Sequence, residues 1–302
     1  MKKFCLFVLI ILMVLCSASC AQCPLNESGK QITDNMGNTF YIPENPKVIA
    51  CYGSFAHSWL LSGGTLAGAS DDTVKERGLD IGNAEIIGSV KEPNLELIVS
   101  LNPDYVILSS ELTNHLALKS SFDSMNIAYG YFSVDTFEDY ADMMRKFCNV
   151  TGREDLYEKH VTDVKSDIEK TLSDISENSG KTFLLMRVFS SGIKVKTDTQ
   201  AYNMIEDMGL KSITDKNPSL LKDLSAEAII KENPDYIFAI TMGEEGNALS
   251  YLRSVTKKSP ALKELKAVKN GNFHILPKEL FHYKPNNRWN DSYEYLAKIL
   301  QN

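Results

Sequence analysis

The sequence is short of basic residues, and this bears on its partners. Its 302 residues include 32 Lys and Arg against 39 Asp and Glu, which gives a formal charge of −7. A protein that binds nucleic acid needs a basic face to meet the phosphates. The charge balance therefore argues against nucleic acid as a partner.

Catalytic motifs are missing as well. The sequence has no GxSxG elbow, no Walker loop and no dinucleotide fingerprint after its first predicted strand. The adjacent Glu244 and Glu245 could be imagined as an acid–base pair, but neighbouring side chains on a loop usually point apart. We therefore predict a protein that is not an enzyme and that needs no cofactor.

Histidine is scarce, which argues against a metal-ion site. The five His residues are scattered, and no two of them form an HxxxH pair. A protein that holds a bare zinc or manganese ion brings three or four His and carboxylate ligands together. We predict no metal site.

The sequence has no apolar run long enough to span a bilayer comfortably. The longest, FCLFVLIILMVLC, covers residues 4–16, whereas a transmembrane helix needs about 20 residues. Lys2 and Lys3 precede it, and small residues separate it from Cys20, which is the order of an export signal. We predict a signal peptide over residues 1–19 and acylation of Cys20. Ser17 departs from this pattern, because a large aliphatic residue is more usual three positions before the Cys.

The four residues NPDY occur twice, at positions 102–105 and 233–236. Residues 94–110 align with residues 225–241 at one constant offset, without a gap. In both copies a short amphipathic helix ends at a Pro, which lacks an N–H, and a β-branched and aromatic run follows. This order is half of a strand–helix alternation, which is typical of a parallel sheet covered by helices.

The repeat predicts the domain organisation. We expect an α/β fold with two similar lobes built on mainly parallel sheets, although a recurrent connection within one large sheet would give the same repeat. Residues 20–30 are predicted to form a lipid-anchored tether, and residues 31–150 the N-terminal lobe. Helical spacing without a strand signal predicts one long connector helix over residues 151–180, and residues 181–302 form the C-terminal lobe.

These features together carry a family resemblance. The signal with its Cys, the hairpin ITDNMGNTFYIPENPKVIA, the pair NLELIVSLNPDYVI and SAEAIIKENPDYIF, the connector and KPNNRW resemble the substrate-binding lipoproteins of ABC importers for siderophores, haem and cobalamin. The resemblance implies a ligand cleft between the lobes. It also implies a monomer on the extracytoplasmic face of the membrane that captures an iron–siderophore-type chelate and delivers it to a permease dimer. A corrinoid or haem receptor of the same class is an alternative, and a receptor for free metal ions is a weaker one.

Candidate ligand-binding residues lie at the carboxyl ends of predicted strands, where open α/β sheets bind ligands. Tyr52 and Arg187 each follow the first strand of their half. An Arg can pair with a chelate's oxygens, and a Tyr offers a flat face and a hydroxyl. A structural ion pair for Arg187 and wall packing for Tyr52 are the alternatives. His282 and Tyr283 could ligate iron or stack on a macrocycle, or could form an ordinary rim loop.

Two Glu residues stand at matching points of the repeat. Glu96 and Glu227 each lie in the first turn of the predicted helix. The family resemblance implies that such a pair docks onto Arg residues of the two permease subunits. Each Glu would also stabilise its helix through the dipole by about 0.3–1 kcal/mol, which is the alternative interpretation.

Membrane attachment can be tested at Cys20. We expect Cys20→Ala to release the protein from the membrane fraction, since the variant cannot be acylated, and globomycin should block processing of the unsubstituted chain. Fractionation followed by immunoblotting measures both effects. Continued membrane attachment of the Cys20→Ala variant would contradict the prediction.

Overall fold

The structure, a computed structural model, describes residues 29–175, 180–222 and 224–301. The predicted signal peptide, Cys20 and nearly all of the predicted tether lie outside the described residues. Within the described ranges, no helix is long and apolar enough to cross a membrane.

Strands and helices alternate along most of the described chain. The strands are β1 (Lys30–Thr33), β2 (Thr39–Ile42), β3 (Val48–Ala50), β4 (Leu66–Ala69), β5 (Glu85–Ile86), β6 (Gly88–Ser89), β7 (Glu92–Pro93), β8 (Tyr105–Ser109), β9 (Tyr129–Phe132), β10 (Thr182–Val188), β11 (Ile193–Val195), β12 (Lys211–Ser212), β13 (Tyr236–Thr241) and β14 (Phe273–Ile275). The α-helices are α1 (Gly53–Leu61), α2 (Asp72–Lys75), α3 (Leu95–Ser100), α4 (Thr113–Leu116), α5 (Lys119–Met125), α6 (Phe137–Thr151), α7 (Glu154–Tyr157), α8 (Asp163–Ser173), α9 (Gln200–Asp207), α10 (Ile213–Lys216), α11 (Ala226–Glu232), α12 (Glu245–Lys258), α13 (Lys266–Lys269), α14 (Lys278–Phe281) and α15 (Trp289–Leu300).

Two separate sheets form the centres of two lobes, as the repeat predicted. The first has the strand order β5-β4-β3-β8-β9, and its pairings are all parallel. The second has the order β11-β10-β13-β14, with β12 beside β10, and its β10–β11 pairing alone is antiparallel. The interpretation as one large sheet is therefore wrong for the described chain.

The NPDY repeat has a structural explanation. Asn102 and Asn233 both follow a helix in the left-handed conformation, with φ of 47° and 44°, which Asn tolerates better than most residues. In the first copy, Asp104 Oδ2 accepts a hydrogen bond from the Lys47 N–H at 2.7 Å. The second copy repeats this with Asp235 Oδ2 and the Thr182 N–H at 2.8 Å. Each Asp thus fixes the start of the neighbouring strand in its sheet.

The largest apolar cluster runs through both lobes. It joins the inner face of the first sheet, including Phe132, to the inner face of the second, including Phe183 and Phe238. Residues of the connector and of α15, such as Ile168 and Leu296, belong to the same cluster. The lobes therefore share buried apolar surface as well as a linker.

A nearly continuous helix runs between the two halves. Gly152, with φ of 72°, ends α6, and α7 continues through a π-helical turn (Glu158–Thr162) into α8. This helical stretch occupies most of the predicted connector, while the exact domain boundaries remain a prediction.

Some local elements differ from the sequence-based expectation. The hairpin of β1 and β2 was predicted and is present. Tyr52 occupies the cap position of α1, and Ser54 is buried inside the helix. Strand β4 has the sequence LAGA, whose small residues carry little strand signal, and it was not predicted.

Candidate functional site

One buried lysine of the second lobe meets two strand ends of the first lobe. The Lys284 side chain is only 8% exposed, and its Nζ lies 3.0 Å from Asp135 Oδ1 and 3.7 Å from Glu111 Oε1. Glu111 follows β8 and Asp135 follows β9, whereas Lys284 lies in the loop after α14. Burial raises the pKa of Glu111, while the Lys284 charge lowers it and Asp135 raises it. Sequence reasoning missed Lys284, although it directly follows the candidates His282 and Tyr283.

Arg187 lies at the end of β10 and is half-buried. Burial lowers the pKa of this guanidinium, and the charges of Asp198, Tyr52 and Glu111 oppose that effect. No hydrogen bond or ion pair of its side chain, which carries five N–H donors, is found among the described residues. The structural ion pair that was the alternative for Arg187 is not formed there.

Tyr52 stands at the N-cap of α1 and is largely buried. Its ring meets the edge of Phe55 at a centroid distance of 4.9 Å, and burial raises the pKa of its hydroxyl. The next residue, Gly53, donates its N–H to both carboxylate oxygens of Asp72, at 3.2 and 3.0 Å. A Cβ at Gly53 would come within 2.5 Å of Asp72 Oδ2. Glycine at this position therefore lets Asp72 approach the helix start beside Tyr52.

His282 and Tyr283 follow α14, and their ring centroids are 5.2 Å apart. His282 Nδ1 is buried without a hydrogen-bond partner among the described residues. Burial, followed by the charges of Arg187 and Lys278, lowers the pKa of His282 to about 4, so the ring is neutral at physiological pH. Tyr283 differs, because its hydroxyl already donates a hydrogen bond to Glu76.

A second cation, the half-buried Arg77, joins the lobes beside this site. Arg77 donates hydrogen bonds to the Lys284 carbonyl at 3.2 Å, to Asn286 Oδ1 at 3.0 Å and to the Ser54 hydroxyl. Asn286 in turn donates to the Ser54 carbonyl at 2.8 Å and to Ser58 Oγ at 2.7 Å. We call Arg77, Asn286, Ser54 and Ser58 the seam. Sequence reasoning missed it, since no pattern links residues this far apart.

Glu96 and Glu227 lie on the surface, away from the buried residues above. Both are exposed, and each is in the first turn of its helix, α3 or α11. The caps of these helices are Asn94 and Ser225, whose side chains accept from Leu97 N at 3.0 Å and Ala228 N at 3.1 Å. Neither Glu has an ion-pair partner within the ranges that the structure covers.

Glu244 has a structural role. Its side chain caps α12 by accepting a hydrogen bond from the Asn247 N–H at 2.9 Å, while Glu245 is the first residue of that helix. Over the described residues, no group of three His, Cys, Asp or Glu side chains is placed to hold a metal ion.

The fold is that of a two-lobed solute-binding protein. It has two lobes built on mainly parallel sheets, a long helical connection between them, and polar residues at the strand ends. The chain belongs to the periplasmic binding protein family, whose model matches residues 48–280.

Similar proteins come from the same class. The "Putative ABC transporter substrate-binding lipoprotein YhfQ" of Bacillus subtilis is 25% identical, over 91% of this chain and 91% of its own length. The petrobactin-binding protein YclQ of the same organism is 27% identical, over 63% of this chain and 59% of its own length. The triscatecholate siderophore binding protein FeuA of Bacillus subtilis, solved with ferri-bacillibactin, has a TM-score of 0.68 at 21% identity, covering 90% of this chain and 98% of that chain. This last likeness shows the fold.

Acidification is expected to destabilise the protein through His282. The unfolded chain accepts a proton at the usual pKa of 6.5, whereas the folded chain resists it down to about 4. The free energy of unfolding should therefore fall as the pH drops from 6.5 to 4, with about 1–3 kcal/mol of that loss due to this residue. Urea titrations across this range should show a shallower decline for His282→Gln. Equal declines in both proteins would contradict the assignment, as would an NMR titration midpoint of His282 near 6.5.

Proposed function

We propose that this protein is the extracytoplasmic substrate-binding component of an ABC importer, and that it captures an anionic iron–siderophore chelate. The observation that carries the proposal is the half-buried Arg187 guanidinium, which has no ion-pair partner among the described residues. A cation that has lost part of its hydration without gaining a directly paired carboxylate favours an anionic ligand.

The other charges around the cleft strengthen this argument. The charge of Lys284 is already neutralised by Asp135 and Glu111. While these ion pairs are formed, its ammonium group adds little attraction for an anionic ligand. Arg187 therefore remains the cation best able to make a charge-assisted contact. Carboxylate, catecholate and citrate-like oxygens of a ferric chelate are suitable partners for a planar fork of N–H donors.

The relatives support the same ligand class. YclQ is named for petrobactin, and FeuA was solved with ferri-bacillibactin. FeuA is described as a triscatecholate siderophore binding protein, and ferri-bacillibactin is an iron chelate. A family of solute-binding proteins is also consistent with a role that involves no catalysis.

A haem or corrinoid ligand is the second candidate, and His282 is the residue that favours it. Its neutral ring has a buried Nδ1 without a partner among the described residues, and a neutral imidazole can ligate iron. Tyr283, by contrast, is held by Glu76. The two candidates differ in their dependence on Arg187, which separates them experimentally.

We further propose that Glu96 and Glu227 dock the protein onto the permease dimer, and that lipid at Cys20 holds it at the membrane as a monomer. Because asparagine and serine caps already satisfy the two helix starts, the two exposed carboxylates are not needed as caps. The name of YhfQ as a lipoprotein supports the membrane attachment.

Ligand binding is expected to depend on Arg187. Losing a charge-assisted contact costs about 1.5–3 kcal/mol, so Arg187→Ala should weaken binding of ferric siderophores roughly ten- to a hundredfold. Fluorescence titration against ferric petrobactin, ferric bacillibactin, ferric citrate, haemin and cobalamin measures this. Arg288→Ala is the matched control, because Arg288 is exposed and pairs with Asp291 at 2.7 Å. Unchanged affinity of Arg187→Ala for the bound chelate would reject the proposed contact, and selective binding of haemin would favour the second candidate.

Transport should depend on both surface carboxylates. We expect the Glu96→Lys, Glu227→Lys double variant to bind ligand normally and to lose uptake, because charge reversal at both sites would repel the basic permease surfaces. Uptake of radioactive iron chelate and ligand affinity are measured side by side. Glu92→Lys with Glu232→Lys serves as a control of equal charge change. Normal uptake by the Glu96, Glu227 variant would reject docking through these residues.

A further inference from the structure

A cavity of about 740 Å³ lies against the second sheet. It is on the outer face, where Leu184 points away from the shared core that contains Phe183 and Leu185. Helices α11 and α12 cover it, with Ile229 and Val255 among the lining residues. The cavity is therefore separate from the cleft at the strand ends.

This cavity is poorly suited to water. Its walls are mostly aliphatic and aromatic side chains, and a buried water needs about two to four polar partners. The first lobe differs, because Phe122, Tyr129 and Tyr131 belong to the core on its outer face. An apolar molecule would be better suited to the walls of the cavity.

The mouth of the cavity is basic. Arg253, Lys257 and Lys263 line it and are exposed. None of them has an ion-pair partner in the described ranges, and the nearby Glu264 already pairs with Lys269 at 2.6 Å. Three unpaired cations therefore surround one apolar opening. This local positive charge contrasts with the overall charge of −7.

We propose that this cavity binds a long-chain fatty acid. The acyl chain lies between the second sheet and helices α11 and α12, where it contacts Leu184, Ile229 and Val255. The carboxylate stays at the mouth, where Arg253, Lys257 and Lys263 balance its charge. The volume falls within the range of about 300–1,000 Å³ that is usual for small-molecule sites.

The cavity is lined in part by a helix to which we have already assigned a role in permease docking. Ile229 lines the cavity from α11, the same helix that carries Glu227. A bound acyl chain packs against the side of this helix that faces the sheet. The binding itself does not depend on the ligand of the cleft or on docking to a permease.

Chain length and head-group charge test the site directly. The full chain with Cys20→Ala, which cannot carry acyl groups of its own, is titrated calorimetrically with octanoate, decanoate, dodecanoate and dodecanol below their micellar concentrations. Affinity should rise about three- to fourfold for each added CH₂. Dodecanol should bind more weakly than dodecanoate. Affinity that does not change with chain length would overturn the proposal.

Variants of the mouth and the wall complete the test. Lys257→Glu should weaken dodecanoate about three- to tenfold and leave dodecanol unchanged. Lys258→Glu changes the next residue of the same helix, which is exposed but does not line the cavity, and its effect should stay below about twofold. Val255→Trp narrows the cavity and should weaken dodecanoate binding without loss of the cooperative thermal transition. Equal effects of Lys257→Glu and Lys258→Glu would show nonspecific association, and wild-type binding by Val255→Trp would place the ligand elsewhere.

Discussion

The arrangement of the two lobes depends on one half-buried guanidinium. Arg77 belongs to the first lobe, yet two of its three acceptors, the Lys284 carbonyl and Asn286 Oδ1, come from the segment that follows the second sheet. A buried acceptor that loses its donor costs more than the hydrogen bond gained, so these groups specify one relative position of the lobes. Lys284 is held in place by this contact, and its ammonium group then meets Asp135 and Glu111 across the cleft.

The sequence was informative wherever the physical cause was local. The Asn-Pro-Asp turn predicted two equivalent helix–strand units, and the structure explains each letter: a left-handed Asn, a Pro that stops the helix, and an Asp that binds the neighbouring strand. The same reasoning located Tyr52 and Arg187 at strand ends, because the carboxyl ends of parallel strands share one edge of a sheet. Their part in binding remains a prediction.

The seam and Lys284 could not be predicted in this way. Arg77 and Asn286 are 209 residues apart in sequence, and the residues around each of them contain no signal that predicts this contact. The burial of Lys284 has the same origin, because its carboxylate partners come from the opposite lobe. A lysine in a loop is ordinarily solvated, and only the tertiary structure reveals that this one is not.

The two lobes resemble each other in topology more than in packing. Both outer faces are covered by helices, but aromatic rings fill the first, whereas the second holds the cavity. A similar strand–helix topology therefore supports a densely packed outer face in the first lobe and a loosely packed outer face in the second. Side-chain volume, which varies independently of the strand–helix order, makes this difference.

The position of the seam along the chain has a consequence for biosynthesis. Residues 284–300 are synthesised after every strand of both described sheets, and they supply Asn286, the Lys284 ammonium and helix α15, which packs along α8. Each sheet draws its strands from its own part of the chain, so each lobe can form while the chain is still being completed. Their mutual orientation is fixed only when this last segment folds back onto α1. Until then the emerging protein is two tethered halves, with the apolar surface that they will share still open to chaperones and proteases.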